Sequence, residues 1–429
     1  MACGSTSDTP SPANAGAGVG TAGTATAAGA GAGSGGASSA GNSGAPSAGA
    51  SAAGGSVAAA GTNSAGAGHS AGSGGASGGA SNNAGASNNA GAPNGAGATG
   101  KGGAGGSGAG SGGASGACAA PGGGPTSTTS THLNIGVHDP SLIWNGTRYD
   151  LFATGGTLNI RSSANLQTWS NVGNIFSAVP AWITTALGAA PSDLWAPDVS
   201  YFNCAYHVYY AGSTFGSNNS VIGLATNPTL DSTSADYHWT DQGQIVRSKT
   251  SDTFNAIDPN LSFDDAGNAW LAFGSFWSGI KMRKIDATTG KVSSADATLY
   301  SLAGRNGGAI EAPSIVAHNG YYYLFVSYDT CCKGVDSTYR TMVGRASAIT
   351  GPYTDKSGAA MTTGAAEQLI ASAGRYIGPG GGTAFRNGDS YWYVFHYYDG
   401  MDNGASKLQI RPIAFDSSDW PTLGDPLFP

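Results

Sequence analysis

Charge is scarce in this 429-residue chain: Asp, Glu, Lys and Arg make up only 10%, and the 25 acids outnumber the 18 Lys and Arg for a formal net charge of −7. A basic surface for a phosphate backbone is therefore missing, and no nucleic-acid partner is expected. Long apolar runs are missing as well. Nothing approaches the ~18 consecutive apolar residues of a membrane span, so no span is expected. Cysteine is rare, and five is an odd count that leaves at least one unpaired or paired elsewhere. Cys331 and Cys332 are neighbours, where a ring between them would rigidify a turn, and no cysteine pair has metal-site spacing.

The scarcity is most extreme in residues 1–130, which are almost entirely Gly, Ala, Ser, Asn and Thr with one acid (Asp8) and one base (Lys101). Such a stretch has too little apolar surface to offset its ordering entropy. It reads as a disordered linker or stalk, leaving 131–429 as the folded domain. A charged, apolar secretory leader is not visible. Met1-Ala2-Cys3-Gly4 looks like the cleavage-site residue of a bacterial lipoprotein, so a secreted or cell-surface protein is expected, with Cys3 as the candidate lipid carrier.

What the body does contain is a frame built on proline. His138-Asp139-Pro140, Ile257-Asp258-Pro259 and Ile310-Glu311-Ala312-Pro313 each open an apolar, aromatic run. The frame recurs without the acid as Trp195-Ala196-Pro197-Asp198 and Ile377-Gly378-Pro379-Gly380. Each run turns at a polar residue plus Gly and restarts with alternating aromatics, as in Asn319-Gly320 before Tyr321-Tyr322-Tyr323-Leu324-Phe325. Asn-Gly between strand formers is a strong hairpin signal. A third strand follows in most units, and a fourth, polar strand is expected around Trp169, Trp239 and Tyr353. Five units of four short antiparallel strands, with no convincing helix, describe an all-β, five-bladed β-propeller. A single sandwich would not show a five-fold frame.

In a propeller the first strand of each blade lines the central channel, so Asp139, Asp258 and Glu311 would converge at one rim. Asp before Pro is a common turn opener, but three acids at one repeat phase in apolar surroundings need a reason to be buried. Glycoside hydrolysis supplies one: an acid protonates the leaving oxygen while a base activates water on the opposite face. A third carboxylate raises the pKa of the acid by like-charge repulsion.

These residues resemble family 43 of the glycoside hydrolases, and within it the endo-acting arabinanases, over roughly 131–429. The matching segments are Val137–Ser141, Leu194–Val199, Asn255–Asn260, Gly274–Gly279, Ile310–Ser314, Cys331–Gly334 and Phe395–Asp399, which touch all five units in order. The resemblance implies inverting cleavage of internal α-1,5 bonds in arabinan or arabino-oligosaccharides by a monomer. It implies Asp139 as general base, Glu311 as general acid and Asp258 as the residue that orients and tunes the acid. For substrate contacts it points to Asp139, Gly216, Asn255, Ala256, Ile257, Asp258, Ser275, Phe276 and Trp277, with Trp195 and Phe215 offering further aromatic faces. It also implies that His396 ligates, with waters, a calcium or other ion in the channel, although one imidazole is a poor calcium ligand.

Two other readings stay open at this stage. The acids do not encode whether attack is mid-chain or at an end, so an exo-acting α-L-arabinofuranosidase or β-xylosidase of the same family is the first alternative. A sugar-binding propeller without catalysis is the second, and it would normally have lost one acid.

Overall fold

The computed structural model describes residues 118, 120–126, 128 and 131–429. The expected stalk over 1–130, and Cys3 within it, lie almost wholly outside the described residues. The body forms five antiparallel sheets arranged as a five-bladed propeller, each made from consecutive strands. Blade one holds β1 (Ser141–Trp144), β2 (Tyr149–Ala153), β3 (Asn159–Ser163) and β4 (Ser170–Asn174). Blade two holds β5 (Trp195–Phe202), β6 (Ala205–Gly212), β7 (Ser220–Asn227) and β8 (Thr240–Ser248). Blade three has β9 (Asn260–Phe263), β10 (Ala269–Phe273) and β11 (Ile280–Asp286), and its outer edge is split between β12 (Lys291–Val292) and β13 (Tyr300–Ala303), which both pair with β11. Blade four runs through β14 (Ile310–His318), β15 (Tyr321–Tyr328), β16 (Arg340–Ala346) and β17 (Glu367–Ile370). Blade five runs through β18 (Tyr376–Asn387), β19 (Ser390–Asp399), β20 (Ala405–Phe415) and β21 (Pro421–Leu423). The inner strands β1, β5, β9, β14 and β18 neighbour one another in turn, and β18 returns to β1.

Two expectations about these elements need correction. A helix is present, α1 (Ala181–Leu187), which drives Ile183 into the core between blades one and two. The fourth strand of blade four is β17, not the stretch around Tyr353; that tyrosine is fully buried and donates its hydroxyl to the Ile349 carbonyl. The outer strands near Trp169 and Trp239 are β4 and β8, as expected.

The proline frame has a common backbone. The residue before each frame proline is left-handed in all five blades: φ is 47° at Asp139, 42° at Ala196, 55° at Asp258, 53° at Ala312 and 57° at Gly378. For the four that are not glycine this conformation costs about 1–2 kcal/mol each, so the rest of the blade must hold it. In β5, β14 and β18 the frame is a register shift in the pairing with the next strand, a bulge that re-aims side chains.

The residue after the proline has a different task in four of the five frames. Ser141 Oγ accepts the Val199 amide (3.1 Å), Asp198 Oδ2 the Leu261 amide (2.8 Å), Asn260 Oδ1 the Ile315 amide (2.9 Å) and Ser314 Oγ the Ala384 amide (2.9 Å). Each bond joins one inner strand to the next, and Thr383 Oγ1 completes the circuit by donating to the Pro140 carbonyl (2.9 Å). Asp198 is therefore a clasp between blades two and three.

Closure also uses chain on both sides of the ring. Ile135 O and Ser406 O bond across to Leu408 and Val137 amides, and Leu133 and Val137 pack with Leu408, Leu427 and Phe428. Contacts begin ahead of the expected boundary at 130. Cys118 is disulfide-bonded to Cys204, the Gly124 amide donates to Asn387 Oδ1 (2.7 Å), and Tyr149 donates to the Pro125 carbonyl (3.0 Å).

Candidate active site

Asp139 and Asp258 occupy the left-handed position itself, while Glu311 lies one residue earlier, on β14 opposite Ser327. The bulge at Ala312-Pro313 reconciles the two placements, because the Ala312 amide donates to Asp258 Oδ2 (3.0 Å) and locks the acid-bearing strand to its neighbour. Asp258 feels the charges of both other carboxylates. Burial, then the charges of Glu311 and Asp139, push Asp258 well above the usual carboxylate range. Asp258 therefore favours its protonated form.

Glu311 is gripped from two sides. Ser275 Oγ donates to Oε2 (2.7 Å) and the Tyr339 hydroxyl to Oε1. Both hydroxyls can also accept, so either one tolerates the protonated or the ionised carboxyl. Tyr339 is itself pushed well up, first by burial and then by Glu311, which keeps it a neutral donor.

Asp139 is built for the opposite state. Burial pushes its carboxyl up, but His138, His396 and the Thr154 hydroxyl hold it down to about 2. Thr154 Oγ1 donates to Oδ2 (2.6 Å) and itself receives the Ala196 amide (2.8 Å), while His138 Nδ1 lies 2.9 Å from the same oxygen. His138 Nε2 is 2.9 Å from the Tyr398 hydroxyl, which accepts the Cys332 amide (2.7 Å). Cys331 and Cys332 form a disulfide, so the ring between neighbours stands beside both halves of the site. Gly381 passes so close that a Cβ there would sit 2.5 Å from Asp139 Oδ1 and from His396 Cε1.

His396 is fully buried on β19 and pushed well below its usual pKa, first by burial and then by His138. Its Nδ1 accepts the Asp139 amide (3.2 Å), so the hydrogen of the neutral ring rests on Nε2, which has no partner among the described residues. The ligating atoms of His138, Asp139 and His396 lie within 4.8 Å of one another. Two imidazoles and one carboxylate are not the six to eight oxygens calcium takes. The protein side of this cluster does not fit a calcium cage, and no chemical step is derived through an ion.

Beside the acids opens a cleft of about 380 Å³ lined by Trp195, Gly216, Asn255, Ile257, Phe276 and Trp277 among those expected, and by Thr214, Ser217 and Gly307 besides. The three acids are not in its lining; Ile257 and Trp195 abut them through Asp258 and Ala196. Phe215 stands 52% exposed between two lining residues. Trp195 is only 4% exposed and packs with Ala211 and Ile257, forming a wall of the cleft. Ala256 is fully buried and gives its amide to Ser248 Oγ (2.9 Å), which sets it apart from the cleft. Ser275 is fully buried and serves Glu311, so neither it nor Ala256 is placed as a substrate contact. Thr154, Tyr339 and Tyr398 carry no signal of their own in the sequence. Tyr398 comes from β19, and Thr154 and Tyr339 from the loops just after β2 and just before β16; they meet the acids only in the folded state.

A propeller with one carboxylate held ionised, a second held between hydroxyls and a third retaining a proton is the architecture of a glycoside hydrolase. The sequence profile of Glycosyl hydrolases family 43 matches residues 132–421, and the chain belongs to that family. It is 44% identical over 292 residues to the extracellular endo-alpha-(1->5)-L-arabinanase 1 of Bacillus subtilis, covering 67% of this chain and 87% of that protein. It is 35% identical over 302 residues to an extracellular exo-alpha-(1->5)-L-arabinofuranosidase of Cellvibrio japonicus, covering 68% and 87%. The solved GH43 endo-arabinanase from Bacillus licheniformis superimposes with a TM-score of 0.64 at 45% identity, over 68% of this chain and 99% of that one.

Proposed function

We propose that this protein is a secreted endo-α-1,5-L-arabinanase that hydrolyses internal bonds of arabinan with inversion. The observation that carries the chemistry is the contrast between Asp139, held at about 2, and Asp258, pushed well up by burial and then by the charge of Glu311, which itself sits between the Ser275 and Tyr339 hydroxyls. Asp139 takes a proton from water as that water attacks the anomeric carbon. Glu311 gives a proton to the departing sugar oxygen, and Asp258 fixes its strand through the Ala312 amide. The cleft holds furanose rings against Phe276 and Trp277, with Asn255 and backbone at Gly216 near the hydroxyls.

The endo reading is supported by the identity to an arabinanase of that name, and the exo-acting relative at lower identity is the competing assignment. An ion on His396 and a lipid on Cys3 are further proposals. The grouping of His138, Asp139 and His396 within 4.8 Å supports the first, and the short Met1-Ala2-Cys3-Gly4 sequence the second. Product sizing on linear and branched arabinan, with and without chelator, tests the reading. Early short oligomers are expected, and arabinose alone from the first minutes would assign exo attack. Unchanged rates after chelation would remove the ion.

A further inference from the structure

The chain just ahead of the family-matching region 132–421 lies against the face away from the acids. Strand direction fixes that face. β5 starts at Trp195, beside its frame proline, and ends at Phe202; Cys204 stands in the turn beyond, and Cys118 is disulfide-bonded to it across 86 residues. β1 starts after Pro140 and ends at Trp144, and β18 passes its frame at Pro379 and ends at Asn387. Cys118 and residues 120–126 form a strap against these far ends, on blades two, one and five.

The seat is shaped to the strap. Pro121 lies over Gly146, where a Cβ would come within 3.6 Å of it. A Cβ on Gly123 would stand 2.6 Å from the Gly388 nitrogen, and one on Gly124 2.6 Å from the Tyr149 hydroxyl, so glycine alone lets the strap come this close. Gly124 exchanges two hydrogen bonds with the buried Asn387 side chain: its amide donates to Oδ1 (2.7 Å) and its carbonyl accepts from Nδ2 (3.0 Å). The Tyr149 hydroxyl donates to the Pro125 carbonyl (3.0 Å).

We propose that this strap is an oxidation-set lock on the propeller ring. The seam of the ring lies between blades five and one, the last and first in the chain, where β18 meets β1 and Thr383 bonds the Pro140 carbonyl. Opening the seam must also pull Asn387 off Gly124, and the strap cannot follow blade five because Cys118 holds it to blade two. Two thiols give one disulfide here, their two electrons and two protons passing to the disulfide of an exchange partner, which leaves as a dithiol. Such a bond persists outside the cell and not in a thiol-rich cytosol. It closes a long loop around the strap and blade one, the case in which a disulfide restricts the unfolded chain most. The strap's contacts lie at the opposite ends of the inner strands from Asp139, Asp258 and Glu311. The lock therefore sets how well the ring endures and leaves the rate of the chemistry alone.

The test uses the full-length protein made under oxidising conditions. A tryptic digest without reductant should contain the peptide Gly102–Arg148 joined to Ser162–Arg247. Cys118→Ser combined with Cys204→Ser should lower Tm by about 5 °C or more, with the initial rate on linear arabinan at 25 °C within twofold of wild type. Gly123→Ala, which keeps the disulfide and lifts the strap off Gly388, should lower Tm by about 2 °C. If the double variant yields no folded protein, Gly123→Ala decides alone. Absence of the joined peptide, or a Tm within 1 °C of wild type in the variants, overturns the lock; an initial rate lowered tenfold in a folded variant overturns its separation from the chemistry. The peptide and Tm readings stand whatever the substrate proves to be.

Discussion

Asp139 shows how much chemistry one backbone position can carry. Its left-handed φ points the carboxylate away from the strand it precedes, where Thr154, His138 and His396 meet it. The acids themselves were visible in the sequence because each stands beside a frame proline. Their partners were not, since Tyr339, Tyr398 and Thr154 are ordinary strand or loop residues whose role exists only across the ring. Gly381 belongs to the same group: it reads as one more glycine in a glycine-rich run, yet its missing Cβ leaves room for the Asp139 oxygen and the His396 ring. Gly381→Ala should therefore lower kcat by at least tenfold, because displacing the base by a few tenths of an ångström spoils attack geometry. A kcat within twofold of wild type, measured with Tm unchanged, would contradict the close packing described here.

At the scale of elements, the frame separates into three positions with three tasks. The residue before proline turns left-handed, the proline fixes φ, and the residue after it clasps the next blade. The sequence displayed the period and the hairpin signals, such as Asn319-Gly320 with φ 49° and 80°, which is why the five blades were readable. It concealed α1, whose Ile183, Thr184 and Thr185 are weak helix formers and whose N-terminus has no side-chain cap; packing of Ile183 holds it in place. It also misdirected the outer edge of blade four, where Tyr353 looked like strand and is core. Ala196 tests the left-handed position without an acid. Ala196→Gly keeps the amide bond to Thr154 and relieves about 1–2 kcal/mol of strain, less about 0.4–1 kcal/mol for the looser unfolded chain. Calorimetry should show a gain of about 0.5–1 kcal/mol, whereas a lower Tm would mean the strain is not there.

For the whole molecule, stability and catalysis draw on the same inner ring. Asp198 is fully buried between two blades, and burial pushes it up to about 7 despite bonds from the Leu261 amide and the Asn260 side chain. A folded pKa above the unfolded 3.8 means that its contribution is complete below about pH 4 and is lost as pH rises through about 7. Asp150, pushed up to about 6 by burial despite Arg148, acts in the same direction. Asp198→Asn cannot ionise and loses one acceptor, so at pH 4 it should be less stable than wild type by about 1–3 kcal/mol. The gap should narrow at up to ~1.4 kcal/mol per pH unit between about pH 4 and 7 and close or reverse there; parallel unfolding curves across that range would show that Asp198 does not titrate there.

The central claim is that Asp139 and Glu311 work on opposite faces of the bond, with water between base and sugar. Proton NMR of the first products released from linear α-1,5-arabinan reads this directly, before the new reducing ends mutarotate. The β-anomer should appear first, as single displacement by water requires. Initial release of the α-anomer would mean a covalent intermediate on the carboxylate assigned here as the base.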